Sequence, residues 1–455
     1  MDRLMVGVSG VRGTVGESLT PHVACDFACA FATMLGPGGS VTLARDSRSS
    51  GPMLRDAVQA GLLASGLNVI DLGLASTPGA ALMTARLPAV GGVIITASHN
   101  PPEYNGLKFL RPTGTPLAAD DARKLEALWR AGEFALADHA GQGTASSNAD
   151  APARYVEAVC QTCDVEAIAR RKFQVVLDSI NGAGCVASRI LLDRLACKLV
   201  HLNGQPDGQF AHSPEPVEEN LTQLAEAVRS HGADVGFAQD ADADRLAIVD
   251  ETGRFIGEEY TLALAAAFTL RHRKGPLATN LSTSRMVDDL AAAAGCQVVR
   301  APTGEANVVD AMARADCILG GEGGGGVIDP RVVGVRNSLT GIVMVLQYLA
   351  ETGKTVSELV ARIPQYVMIK TKLPCPAGAA EAVVARARQA FAERDGVHLN
   401  DADGLRVDFS DRWVSVRASN TEPILRIIAE APGREDAEAL VAEMQHIADE
   451  AVAGS

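Results

Sequence analysis

A short apolar run that stops abruptly in a polar loop recurs along this chain, and that pattern limits the fold more than any other feature. Val93-Ile94-Ile95 is β-branched throughout and too brief for a helix, so it reads as a buried strand. It gives way to Thr96-Ala97-Ser98-His99-Asn100, where Pro101-Pro102 keeps regular structure from resuming at once. Residues 41–44 end likewise in Arg45-Asp46-Ser47-Arg48, residues 173–178 in Ser179-Ile180-Asn181-Gly182, and residues 233–238 in Asp240. Further on, residues 277–280 end in Leu281-Ser282-Thr283-Ser284-Arg285, and residues 315–319 in Gly320-Gly321-Glu322. Helical stretches separate the runs. The first opens on Thr20-Pro21, an N-cap with proline at the first helical position, and is expected to reach about Leu35.

Strands alternating with helices predict an α/β protein, built from three similar α/β domains with mixed sheets over 1–150, 151–253 and 254–368. The polar stretch 141–150 reads as the linker that closes the first. Beyond Lys370 the order changes to a helix near 377–392, strands at 405–409, 413–416 and 424–430, and a last helix. That order predicts a smaller α+β domain over 369–455. A length of 455 residues and an aromatic content of 4% suit several layered cores of small aliphatic side chains.

A net charge of −14 argues against a duplex nucleic-acid partner, which needs a basic surface, but leaves room for a locally positive cleft that binds a small anion. No apolar run reaches membrane-spanning length and no secretory leader follows Met1, so no membrane partner and a cytoplasmic protein are expected. The nine cysteines are scattered. Cys160 and Cys163 form a C-x-x-C with no second pair at zinc spacing, so they read as a helix face.

Four loops carry chemistry. Ser98 is displayed at the carboxyl end of a strand, where open α/β sheets keep their sites, and Lys108 follows after a Tyr104-Asn105-Gly106 turn. That pairing suits a serine that accepts or carries a phosphoryl group, although a plain serine turn has the same composition. Asp240-Ala241-Asp242-Ala243-Asp244-Arg245 places three carboxylates on alternate residues, so an extended loop would point them to one centre. All-oxygen ligation selects Mg²⁺ or a similar hard ion. An EF-hand would also use Asp240, Asp242, Asp244 and Glu251, but Arg245 stands where that loop needs glycine, and Leu246-Ala247-Ile248-Val249 reads as a strand. The run Gly320–Gly326 lacks the Gly-Lys-Ser/Thr of a P-loop and suits either a surface turn or a loop bringing Glu322 to a polyhydroxyl ligand. Arg417-Ala418-Ser419-Asn420-Thr421-Glu422-Pro423, between two strands, gathers donors fit for a phosphate dianion.

Taken together, these four loops resemble the signature loops of the α-D-phosphohexomutases, in the family's order and over nearly the whole chain. The resemblance implies four domains around a central cleft. It implies a phosphoserine at Ser98, and Mg²⁺ held by Ser98, Asp240, Asp242 and Asp244. Sugar contacts are implied at Gly321 and Glu322, and a phosphate site at Arg417, Ser419, Asn420 and Thr421. Arg12, Lys108 and Arg245 sit where the family keeps active-site cations, and His99 would orient the serine loop. Many members carry Ser and His two and four residues after the glutamate, where this chain has Gly324 and Gly326.

The implied reaction interconverts hexose 6-phosphate and 1-phosphate through a bisphosphorylated sugar, with a hexose bisphosphate as activator, in a monomer or homodimer. The Thr-Glu-Pro ending of the phosphate loop favours phosphoglucosamine mutase over the mannose/glucose enzymes. A Mg-dependent sugar-phosphate phosphatase would use the same serine and metal without needing the last domain's phosphate loop. A sugar-phosphate binding protein would need neither Ser98 nor Lys108.

Overall fold

The structure, a computed structural model, describes residues 4–7, 10–376, 378–418 and 424–453. The first sheet contains β1 (Met5–Gly7), β2 (Gly10–Thr14), β3 (Ser40–Arg45), β4 (Asn68–Leu74), β5 (Ala89–Ile95), β6 (Tyr104–Leu110) and β7 (Ala145–Ser147), in the order β1-β2-β6-β5-β3-β4-β7. The second contains β8 (Gln174–Asp178), β9 (Lys198–Leu202), β10 (Val235–Gln239) and β11 (Leu246–Val249), in the order β11-β10-β8-β9. The third contains β12 (Leu277–Asn280), β13 (Val298–Ala301), β14 (Leu319–Glu322) and β15 (Gly326–Ile328), in the order β13-β12-β14-β15.

One four-strand plan underlies all three. β3, β8 and β12 each pair parallel with the next strand and with the one after it. The last strand, β6, β11 or β15, then runs antiparallel against the third. The predicted similarity of the three segments is therefore a shared topology.

The fourth sheet is antiparallel throughout: β16 (Val367–Pro374), β17 (His398–Asn400), β18 (Leu405–Asp408), β19 (Trp413–Ala418) and β20 (Ile424–Ala431), in the order β16-β20-β19-β18-β17. Helices Ala379–Ala392 and Arg434–Ala453 pack on it around Phe391 and Met444. A continuous apolar core containing Ile94, Tyr155, Phe237, Ile248 and Leu346 runs through the first three units, while the fourth keeps its own.

Helix Pro21–Leu35 starts as its sequence demands, the Thr20 hydroxyl accepting from the Val23 amide at 3.3 Å. Three expectations change. Tyr104-Asn105-Gly106 is strand rather than turn, because a Cβ at Gly106 would overlap the Val11 carbonyl and lie 2.7 Å from that of Thr96; glycine lets three strands close up. The strand expected over 315–319 is Leu319–Glu322 instead, since helix Glu305–Ala315 extends further and Gly320 is needed where Met312 packs on the sheet. The stretch read as a linker contains β7, which pairs parallel with β4 at the sheet edge.

Candidate active site

The three chemical loops occupy one topological position. Ser98 lies between β5 and β6, the three aspartates between β10 and β11, and Gly323-Gly324-Gly325 between β14 and β15. In each unit the third strand points its carboxyl end at a common cleft of about 410 Å³, lined by Arg12, Lys108, Arg245, Glu322, Arg336 and Arg417 among others.

Ser98 is 1% exposed and holds φ at +51°, a left-handed conformation that costs an L-residue about 1 kcal/mol or more and survives only when its surroundings enforce it. Its amide donates to Thr96 Oγ1 at 2.9 Å, and Thr96 in turn donates to Asp46 at 2.7 Å. Arg48, also 1% exposed, spends four of its five guanidinium N–H groups on this loop. Nη2 donates to the carbonyls of Ser98 and Asn100 (both 2.7 Å), Nη1 to those of Pro101 (2.6 Å) and Tyr104 (3.0 Å), and Nε to Asp46 (3.1 Å). Phe210 covers the guanidinium face 5.0 Å away. The serine hydroxyl is left aimed at the second unit, donating to Asp240 Oδ2 at 2.7 Å.

Asp240, Asp242 and Asp244 are fully buried and offer ligand oxygens within 4.8 Å of one another. They converge through a tight turn and not the expected extended loop. The Ala243 amide donates to the Asp240 carbonyl at 3.0 Å, and Ala243 has φ +56°. Both alanines are buried, and Ala243 Cβ lies where a Cβ on Gly184 would come within 2.8 Å.

Oδ1 of Asp242 and Oδ1 of Asp244 are buried without a hydrogen-bond partner among the described residues. Two orphaned carboxylate oxygens beside a third carboxylate fit a hard divalent cation. Burial, then the charges of Asp244 and Asp242, raises the Asp240 carboxyl well above its ordinary range. Burial also works against Asp244, but Arg336, Lys108 and Arg245 outweigh it and hold that carboxyl low.

Lys108 Nζ reaches Asp242 Oδ2 at 2.6 Å and Asp244 Oδ2 at 3.2 Å, while Thr77 donates to Asp242 Oδ2 at 2.6 Å. Burial disfavours the ammonium, yet the two carboxylates more than offset it and lift the Lys108 pKa above the lysine range. Arg12 Nη1 donates to Asn100 Oδ1 at 3.1 Å, and Arg245 joins it in the cleft wall. His99 Nδ1 lies 3.3 Å from Ser98 Oγ; burial first, then Arg245 and Arg12, push its pKa down to about 2, so the ring is neutral.

On the third unit, Glu322 Oε1 accepts from Asn280 (2.8 Å) and the Gly304 amide (3.2 Å), and Oε2 from Arg336 (2.8 Å). Gly321 lets β15 approach, because a Cβ there would overlap the Gly326 carbonyl. Arg417 lines the cleft from β19. Ser419, Asn420 and Thr421 lie outside the described residues.

Profiles of the phosphoglucomutase/phosphomannomutase α/β/α domains I, II and III match residues 3–136, 153–253 and 257–366, and the C-terminal domain profile matches 368–447. The chain belongs to this family. As a phosphohexomutase it is an enzyme, an isomerase by class. It is 42% identical to a Thermococcus kodakarensis "Phosphoglucomutase/phosphomannomutase" over 439 residues, covering 95% of this chain and 96% of that one. It is 37% identical to a "Probable phosphoglucosamine mutase" from the same organism, covering 98% of each. Its fold superposes on a phosphoglucomutase/phosphomannomutase family protein of Burkholderia thailandensis with TM-score 0.86 at 26% identity, covering 98% of each chain. No helix among the described residues is long and apolar enough to cross a membrane.

Ser98, the three aspartates, Lys108 and Glu322 were candidates from the sequence; Arg48, Thr77, Asn280, Glu305 and Arg336 were not. Arg48 had a signal, since the Arg45-Asp46-Ser47-Arg48 loop also follows a parallel strand. Arg336 had none, being a single arginine brought in by the chain's return before helix Ser338–Thr352.

Proposed function

We propose that this enzyme interconverts the 6-phosphate and 1-phosphate of a hexose through a phosphorylated Ser98, with glucosamine phosphate as its preferred substrate. The observation that carries the reading is the buried Ser98 hydroxyl, 2.7 Å from Asp240 and next in the chain to His99, which lines a cleft rich in cations. Asp240, Asp242 and Asp244, with an oxygen on Ser98, would hold Mg²⁺. Bound there, the ion supplies charge neutralisation for the oxygens of a transferring phosphoryl group.

The chain's own groups do the rest. The phosphoryl group leaves Ser98 Oγ for a sugar hydroxyl, which gives up its proton, and Oγ returns to the hydroxyl form. Lys108, Arg12 and Arg245 bring positive charge to the phosphoryl oxygens and take part in proton transfer. Arg417, with Ser419, Asn420 and Thr421, grips the phosphate that is not reacting. The bisphosphorylated sugar then turns over and returns its other phosphate to Ser98. Glu322 accepts from sugar hydroxyls in either orientation, and neutral His99 steadies the serine loop.

The Thr421-Glu422-Pro423 ending and the phosphoglucosamine mutase relatives favour glucosamine phosphate. The 42% identical relative favours glucose and mannose phosphates as the second reading. An isomerisation assay across glucosamine, mannose and glucose phosphates, primed with a hexose bisphosphate, tests both. Steady release of inorganic phosphate without isomerisation would instead mark a phosphatase.

A further inference from the structure

The turn from Gly323 to Gly326 presents no side chain to the cleft, and one arginine from elsewhere in the chain fills the place. A Cβ on Gly326 would overlap Arg336 Cδ and lie 2.8 Å from Cγ, so glycine at 326 is what admits this side chain. Arg336 joins three carboxylates. Nη1 donates to Glu322 Oε2 at 2.8 Å, Nη2 to Asp244 Oδ2 at 2.8 Å, and Nε lies 3.6 Å from Glu305 Oε1. Its backbone amide also donates to Glu305 Oε1 at 2.6 Å. The side chain is 11% exposed, Nε makes no hydrogen bond among the described residues, and Arg336 lines the cleft beside Glu322 and Glu305.

Shape does little selecting on this side. Among the described residues, a Cβ on Gly324 would find only Arg245 Nη1, 3.7 Å away. Charge is left to discriminate, and Arg336 sets it.

We propose that Arg336 is the specificity-determining residue that weighs neutral hexose phosphates against amino-sugar phosphates in this cleft. Its guanidinium offsets Asp244, Glu305 and Glu322 at the cleft wall. That offset tempers the pull of the glutamates on the ammonium of an amino sugar, while a hydroxyl, being neutral, is little affected. Without Arg336, Glu305 and Glu322 would stand unopposed in the cleft wall and an ammonium would be favoured further. The proposal rests on the reading above only in that a sugar phosphate occupies the cleft.

The test is calorimetric binding of glucosamine 6-phosphate and glucose 6-phosphate at neutral pH to the wild type, Arg336→Met, Arg336→Lys and Gly326→Ala. Arg336→Met is expected to move the ratio of the two dissociation constants about tenfold towards the amino sugar. Arg336→Lys, which keeps the charge and loses the bridge, weakens both sugars and leaves the ratio unchanged. Gly326→Ala displaces the guanidinium and moves the ratio the same way by a smaller factor. Equal weakening of both sugars in Arg336→Met and Gly326→Ala would reduce Arg336 to a structural tie and overturn the proposal. Should Arg336→Met fail to fold by circular dichroism, the Gly326→Ala ratio decides. A wild type that binds both sugars without isomerising either removes the mutase reading while the ratio still judges Arg336; a wild type that binds neither overturns both.

Discussion

Arg48 Nη2 donates to the backbone carbonyl of Ser98 at 2.7 Å, so the residue proposed to carry the phosphoryl group is gripped by an arginine 50 positions earlier. Replacing Arg48 by Met would leave four loop carbonyls and the Asp46 carboxylate buried without their partner, a loss of about 3–5 kcal/mol. Lysine has too few donors, in the wrong geometry, to restore them. Arg48→Lys is expected to lower kcat by roughly tenfold or more with little change in KM, because the residue touches the loop and not the cleft. Urea unfolding and steady-state kinetics read the two effects.

Asp242→Asn should lose metal binding while keeping the fold. The variant removes one of three buried negative charges, and its amide oxygen can still accept from Thr77 and Lys108. Magnesium affinity measured by calorimetry is expected to fall at least about 100-fold, with the melting temperature within a few degrees of the wild type. Full activity of this variant without added metal would contradict the magnesium assignment.

Tyr155 ties the units together. Its hydroxyl, within a fully buried side chain, donates to Asn337 Oδ1, and the same oxygen caps helix Ser338–Thr352 by accepting from the Thr340 amide at 3.0 Å. Tyr155→Phe is expected to cost about 1–3 kcal/mol in denaturant unfolding, with substrate KM unchanged. A neutral substitution would mean that the cap stands without the tyrosine.

Glu259 gives stability a pH dependence. Burial lifts its carboxyl from an ordinary 4.5 to about 7, despite the opposing charge of Lys370. Between those values the folded chain keeps a proton that the unfolded chain releases, so stability falls as pH rises through the window. Glu259→Gln can still accept from the Ser284 amide, as Glu259 does at 3.0 Å, and should flatten that slope. Urea midpoints compared on either side of the window are expected to favour the variant above pH 7 by on the order of 2 kcal/mol.

What the sequence made legible was chemistry written in adjacent residues. Three aspartates on alternate positions and a serine after a β-branched run announce themselves wherever they fold. The turn that gathers the aspartates was not legible, because it depends on Ala243 accepting a left-handed backbone against the buried loop at Gly184. The glycines around Glu322 suited a surface turn as well as a ligand loop, and their close packing is visible only once Met312 and the Gly326 carbonyl are placed against them. Arg48 at least stood in a polar loop after a parallel strand, but the partners of Arg48 and Arg336 were hidden for a deeper reason. Each acts on groups far away in the chain, and nothing in a side chain's neighbours along the sequence reports which carbonyls or carboxylates it will meet.

The central claim is that Ser98 carries the phosphoryl group. Mass spectrometry of the peptide bearing Ser98, after incubation with magnesium and a hexose 1,6-bisphosphate, reads this directly. One phosphoryl group is expected on Ser98, discharged as hexose bisphosphate on adding a hexose monophosphate and absent from Ser98→Ala. Isomerisation that proceeds at the wild-type rate in Ser98→Ala, or label carried on any other residue, would contradict it.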